Sequence, residues 1–100
     1  MNEELNELIL DLEGVAARKM FGMDGHSCGR KAFGGWWEDK FVLKLPPADH
    51  ARALKLPGAE AFDPMGGRPM KEWVVLPDME SDEAVKLAEV AKNYVQAASN

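Results

Sequence analysis

The chain has 100 residues and a formal net charge of −5, with 46% hydrophobic and 29% charged residues. This is the composition of an ordinary folded domain, and the length predicts a single domain over residues 1–100 with one modest core. No apolar stretch approaches the roughly 20 residues that cross a bilayer, and the acidic start lacks the basic region of a signal peptide. We therefore expect a cytoplasmic protein with no membrane association.

Cysteine usage and charge exclude further classes. Cys28 is the only cysteine, so neither an internal disulfide nor a cysteine-rich zinc site can form within one chain. Residues 1–13 carry a net charge of −5, residues 14–45 carry +3 and residues 46–100 carry −3. Because phosphate contacts supply most non-specific affinity for nucleic acid, direct nucleic-acid binding is not expected of this acidic chain.

The first predicted element is a helix near the amino terminus. Its apolar residues repeat with helical spacing and are Leu5, Leu8, Ile9 and Leu12. Asn2 is a suitable amino-terminal cap, and Gly14 suits the position just past the helix.

The segment from Val15 to Leu45 contains glycines and shorter apolar spacings, which predict a meander of strands. The predicted elements are a strand at 16–21, a turn at 22–25, a strand region at 26–37 interrupted near Gly29, and a strand at 40–45. Glu38 and Asp39 are predicted to form a two-residue hairpin turn.

The remaining segments predict a helix, two strands and a long last helix. Pro46 and Pro47 end the preceding strand, a helix is predicted at 48–55, and strands at 60–62 and 70–76 flank a loop at 63–69. Ser81 opens a helix whose apolar stripe is Ala84, Leu87, Ala88, Ala91, Tyr94, Val95 and Ala98. The order α-β-β-β-α-β-β-α favours an α+β fold, an antiparallel sheet with flanking helices.

Several motifs, in this order, resemble those of the TfoX N-terminal domain family over about residues 5–97. The residues that carry the resemblance are Arg18-Lys19-Met20-Phe21-Gly22 with Gly25, Gly29-Arg30, Ala32-Phe33, Phe41-Val42-Leu43-Lys44-Leu45, Gly58-Ala59-Glu60-Ala61-Phe62, and Pro69-Met70-Lys71-Glu72-Trp73-Val74-Val75-Leu76-Pro77. This family includes the amino-terminal half of a bacterial competence regulator. The resemblance implies a non-enzymatic regulatory or protein-interaction module that presents a sheet face or a strand edge to another protein.

Two glycine-bearing segments carry basic residues and raise the alternative of a small-ligand or anion-binding protein. The candidate ligand-binding residues are Arg18, Lys19, Gly22, Gly25, Arg68 and Lys71. The simpler interpretation is that the glycines shape turns by adopting positive φ angles. Geometry decides between these interpretations, since a shared ligand requires the 22–25 and 66–69 segments to meet at one end of the sheet.

Asp24, His26 and Cys28 alternate and would share one face of a strand. This arrangement is compatible with a metal site or a Cys-His pair, but it is also the spacing that chance gives in a polar strand. We favour chance spacing. The chain is therefore expected to have no catalytic residues, no metal and no cofactor.

Trp36 and Trp37 are adjacent and must face opposite sides of a strand, and Trp73 adds a third large ring. An exposed tryptophan would indicate a surface for an unknown protein partner or a homodimer, because aromatic residues are enriched at such surfaces. Packing of these rings against a helix is the favoured alternative.

Overall fold

The computed structural model of the chain describes residues 1–20 and 22–98. Its elements are α1 (Glu3–Leu10), β1 (Val15–Met20), β2 (Met23–Cys28), β3 (Lys31–Trp37), β4 (Lys40–Lys44), α2 (Pro47–Leu54), β5 (Glu60–Ala61), β6 (Trp73–Val75) and α3 (Ser81–Ala98). The six strands form one antiparallel sheet in the order β1-β2-β3-β4-β6-β5. The predicted α+β class is confirmed.

The first helix forms for the reasons that its sequence indicates. The Asn2 side chain accepts a hydrogen bond from the Leu5 amide at 3.0 Å, which satisfies one of the free donors at the helix start. Leu5 and Ile9 are buried, whereas Leu8 remains 40% exposed. The helix ends at Leu10, so α1 buries a narrower stripe than the apolar spacing indicates.

The meander contains one strand more than the predicted order. The interruption near Gly29 is a complete turn between β2 and β3, and Gly29 has the positive φ of 65° that such a turn favours. The Glu38-Asp39 turn forms as predicted, with Trp37 paired to Lys40 on either side of it.

The predicted turn at 22–25 is wrong in its extent. Met20 pairs directly with Met23, so Asp24 and Gly25 already belong to β2. Gly25 is required by the close approach of the strands, because a Cβ atom there would lie 2.8 Å from the Arg18 carbonyl oxygen. Phe21, the last residue of the predicted strand at 16–21, lies outside the described residues.

A bulge in β3 allows both of its large helix-side rings to enter the core. His26 pairs with Gly34 and Ser27 with Ala32, so Phe33 has no direct partner in this ladder. Phe33 and Trp36 both belong to the core under the helices, while Trp37 packs on the opposite face. The predicted division of the two adjacent tryptophans between the faces is therefore confirmed.

The two faces of the sheet are covered differently. All three helices contribute to the core on one side, which we call the helix-covered face, and its buried members include Ile9, Phe33, Leu43, Ala53 and Ala88. The other side, the outer face, has a smaller cluster of Met23, Val42, Phe62, Trp73 and Val75. The helix-covered face therefore supplies most of the hydrophobic stabilisation.

The carboxy-terminal strands are shorter than predicted. The Met70 amide donates to the Phe62 carbonyl at 2.8 Å, and Glu72 has a φ of 70°, so regular pairing begins only at Trp73. The last helix forms as its apolar stripe predicts, and its small buried residues let it lie close to β3. Tyr94 on that helix donates a hydrogen bond to the Glu72 carboxylate.

Candidate functional site at the open edge of the sheet

The sheet topology separates the two glycine segments. The β1–β2 turn with Gly22 lies beside one outermost strand, and the loop with Gly66 follows the other outermost strand, β5. Since neighbouring strands alternate in direction across the sheet, these two connections also lie at opposite ends of it. The two segments therefore do not meet, and the condition for a ligand shared between them is not fulfilled.

The basic side chains near the two segments therefore form two separate sets. Arg18 and Lys19 lie on β1, whereas Arg68 and Lys71 lie in the connection between β5 and β6. No single small ligand can contact both sets. The sequence could not reveal this separation, because sheet order is decided by long-range pairing and not by local spacing.

The loop between β5 and β6 already contains an anion of its own. The Asp63 carboxylate accepts hydrogen bonds from the Gly67 amide at 2.7 Å and from the Arg68 amide at 3.2 Å. Gly66 and Gly67 have φ angles of 70° and 118°, which turn the backbone amides inward. The positions that a bound phosphate would occupy at these amides are filled by Asp63.

The residues of β1 are arranged as an exposed outer strand. Arg18 and Lys19 point to opposite faces, since they are adjacent. Arg18 Nη1 donates to the Arg30 carbonyl oxygen at 2.5 Å, and Lys19 Nζ lies 2.5 Å from Asp24 Oδ1. Their neighbours Ala16 and Ala17 are also exposed.

A shallow depression of about 150 Å³ lies on this strand pair, lined by Ala17, Arg18, Lys19, Asp24 and Gly25. The hydrogen bond from Lys19 and its positive charge hold the pKa of Asp24 below its usual range. The lysine side chain is 78% exposed and the aspartate 52%, so the pair is accessible from solvent. The depression is open and has charged side chains in its lining, unlike the enclosed apolar pockets that hold most small ligands.

The backbone of β1 has unused hydrogen-bonding groups. Within the described residues β1 pairs with β2 only, over six consecutive residues. Met20 and Met23 flank a two-residue connection, so this pair exchanges hydrogen bonds and the alternate positions Ala17 and Lys19 direct their N–H and C=O groups away from the sheet. Val15 fits the same alternation, because its amide donates to Leu12 rather than to β2.

The open edge, which we define as Val15–Met20, is also basic. Arg18 and Lys19 lie on it, Arg30 lies exposed in the neighbouring β2–β3 turn, and Lys31 is the exposed first residue of β3. Asp24 is the one acidic residue of β2 and pairs with Lys19. Neither arginine is in an ion pair within the part of the chain that the structure describes.

Ala17, Arg30 and Lys31 are not among the candidate ligand-binding residues of the sequence. One signal could have identified their surroundings, since Ala16-Ala17-Arg18-Lys19 lacks the apolar alternation of a strand that is buried on one face. Such a stretch is typical of an outermost strand.

The Asp24, His26 and Cys28 side chains share the helix-covered face but do not form a site. Asp24 is paired with Lys19 in solvent, and Cys28 is buried beside Gly14. The residues described in the structure include no group of three or more His, Cys, Asp or Glu side chains that could hold a metal ion.

His26 instead belongs to a buried polar cluster under α1. Its Nε2 donates to Asn6 Oδ1 at 2.7 Å, and Trp36 Nε1 donates to the same oxygen at 3.0 Å. Its Nδ1 is buried without a hydrogen-bond partner. Burial lowers the pKa of His26 to about 4, partly offset by the charge of Asp24, so the ring is neutral at pH 7 and anchors α1 to the sheet.

A second depression, of about 270 Å³, lies between α2 and α3 and contains the apolar side chains of Ala53, Leu56, Met79 and Leu87. Two acidic and two basic residues line it, namely Asp49, Glu83, Arg52 and Lys86. This balance gives it no clear preference for the charge of a ligand, in contrast to the open edge.

The comparisons with known proteins show a family for this chain, and they name no activity. None of the helices in the described ranges is long and apolar enough to cross a membrane. No curated protein and no solved structure shows significant similarity to the chain. The model of the TfoX N-terminal domain matches residues 7–98, which is nearly the whole chain, and the protein therefore belongs to the TfoX N-terminal domain family.

Proposed function

We propose that this protein is a non-enzymatic regulatory module that binds an extended segment of another protein along its open edge. The observation that carries this proposal is the outer side of β1, where Ala17 and Lys19 direct their backbone groups outward and no strand pairs with them within residues 1–20 and 22–98. Membership of the TfoX N-terminal domain family supports a competence-regulator-like module at the family level. A cytoplasmic location fits this role.

Strand addition explains how a chain with this surface can bind. An extended segment placed beside β1 would exchange backbone hydrogen bonds with Ala17 and Lys19, while alternate side chains of that segment contact the two faces. Ala16 and Ala17 are small, so they leave space for larger side chains on the incoming strand. The exposed row of donors and acceptors gives affinity, and the flanking side chains give specificity.

The chemistry of the molecule favours binding over catalysis and a protein over a nucleic acid. His26 is hydrogen-bonded to Asn6, His50 is hydrogen-bonded to the Trp73 carbonyl oxygen, and Cys28 is buried, so neither histidine forms a hydrogen-bonded pair with the cysteine among the described residues. A net charge of −5 opposes general attraction to phosphate backbones. Anion binding at the glycine turns has less support, because the turns lie apart and Asp63 occupies one of them.

The test is a proline substitution that blocks the edge without breaking the sheet. At Ala17 the N–H points away from β2, and proline is tolerated on an edge strand when its missing N–H would face solvent. We expect Ala17→Pro to remove partners that copurify with the wild-type chain from its source cell. Ser81→Pro, at the first turn of α3 where proline is tolerated, is the matched control and should retain them.

A second measurement makes the test independent of copurification. Binding along β1 should slow the hydrogen exchange of the Ala17 and Lys19 amides, which are directed outward in the free protein. Equal recovery of partners by wild type and Ala17→Pro, with no change in exchange at these amides, would contradict the proposal.

A further inference from the structure

We infer that the segment that binds the open edge is acidic, with carboxylates placed to meet Arg18 and Lys19. This inference rests on the proposed function, since it names the chemistry of the partner at the same edge. Its basis is the combination, on one strand, of outward-directed backbone groups with two exposed basic side chains, of which Arg18 has no ion-pair partner among the described residues.

The charge is concentrated where an added strand would lie. Arg18 and Lys19 are on β1 itself, and Arg30 and Lys31 are at the adjoining turn, whereas β1 and β2 together contribute only Asp24 as an acid. Arg18 is held in place by its hydrogen bond to the Arg30 carbonyl, which leaves the rest of its guanidinium available to a carboxylate. An added acidic strand would therefore find a positioned donor.

The two faces of the edge differ in their surroundings. On the helix-covered face, α1 lies against β1 and carries exposed Glu4 and Glu7, and the exposed Asp11 follows directly after it. Arg18 points to the outer face, away from that helix, whereas Lys19 points toward it. We therefore expect the strongest preference for a carboxylate beside Arg18 on the outer face, with small or apolar side chains tolerated next to Ala17.

The same charges oppose the most obvious competing occupant. A second copy of the chain paired through β1 would bring both sets of Arg18, Lys19, Arg30 and Lys31 to one seam. Natural sheets use basic residues on outermost strands to prevent such pairing. Basic residues that prevent self-pairing nevertheless attract a segment of opposite charge, and this is how one edge can be selective.

The experiment selects short peptides from a random library on the intact chain and then measures the affinity of the selected peptides. We expect acidic sequences that lose more than about tenfold in affinity against Ala17→Pro. The double substitution Arg18→Gln with Lys19→Gln should weaken them by roughly 3- to 10-fold and reduce their salt dependence. Arg68→Gln with Lys71→Gln removes the same charge at the far end of the sheet and should leave affinity unchanged.

The outcomes separate this inference from the function on which it rests. Peptides that depend on Ala17 but are neutral or basic would overturn the acidic partner and leave strand addition intact. Selection of peptides that are all insensitive to Ala17→Pro would overturn both. Equal weakening of peptide binding by the two double substitutions would show a general charge effect and would overturn the inference. A wild-type dimer in sedimentation that Ala17→Pro abolishes would assign the edge to a second copy, and it would overturn the inference as well.

Discussion

The two outermost strands of the sheet, β5 and β1, differ in length and in the contacts beside them. β5 has two residues, is linked to β4 by the Lys40–Glu60 ion pair, and leads into a loop whose amides bind Asp63. β1 has six residues, and its outer side has no strand partner among residues 1–20 and 22–98. β5 therefore offers two residues of outer edge and β1 offers six, and the longer edge is the one on which we propose strand addition.

The largest effect is expected beside β5, from Phe62→Ala. Phe62 has 0% exposure and packs against Trp37 and Trp73, with ring centroids 5.5 and 6.0 Å away. Loss of this ring leaves a cavity under the loop, and we expect the free energy of unfolding to fall by about 3–5 kcal/mol in chemical denaturation. Met65→Ala, at a position that is 82% exposed, is the control and should change little. A loss below about 1 kcal/mol for Phe62→Ala would show that Phe62 does not hold this cluster together.

The second-largest effect is expected in the pH dependence of stability, through His26 in the buried polar cluster under α1. Burial lowers the pKa of His26 from 6.5 to about 4, so the unfolded chain binds a proton first as the pH falls. This contribution to stability is complete above pH 6.5 and is lost toward pH 4, which amounts to about 2 kcal/mol between pH 7 and pH 5.

Denaturation of wild type and His26→Gln at both pH values measures this contribution. The variant keeps a donor for Asn6 but does not titrate, so its stability should change less between the two conditions. Identical pH dependence of the two proteins would show that His26 is not held neutral by burial.

How much of this architecture the sequence predicts depends on the range of the interactions involved. The last helix and the Asn2 cap are predicted correctly, because each is decided by neighbours within one or two helical turns. The bulge at Phe33 is not predicted, because it depends on pairing between β2 and β3. The shortening of β6 depends in the same way on the positive φ of Glu72 and on contacts with the preceding loop.

The candidate site is predicted in part for the same reason. The sequence offers Arg18, Lys19, Arg68 and Lys71 as candidate ligand residues, and one ligand could contact all four only if the two glycine segments met. Strand order separates the two pairs, and no local pattern in the sequence encodes it. The open edge becomes visible only once β1 is known to be outermost.

A smaller effect is expected from Asp63→Ala, which tests how the loop beside β5 is closed. The carboxylate accepts from two backbone amides, so its removal leaves the Gly67 and Arg68 donors to water. We expect a loss of about 1 kcal/mol in the free energy of unfolding, since the loop is exposed and water replaces part of the interaction. Asp63→Asn keeps one acceptor oxygen and should lose less. If the loop instead gained affinity for inorganic phosphate in Asp63→Ala, the side chain would be occupying an anion site.

The smallest effect on stability is expected at the open edge itself, from Asp24→Asn. Lys19 and Asp24 form an exposed pair, and such pairs contribute little to stability because water screens them. The denaturation midpoint should therefore stay the same at pH 7, in contrast to the Asp63 variants. The substitution also releases Lys19 and makes the edge more basic, so a short acidic peptide should bind more tightly, and the gain should disappear in high salt. A clear loss of stability in Asp24→Asn would mean that the pair holds β1 to β2, and the open edge would then owe its form to this ion pair as well as to its backbone ladder.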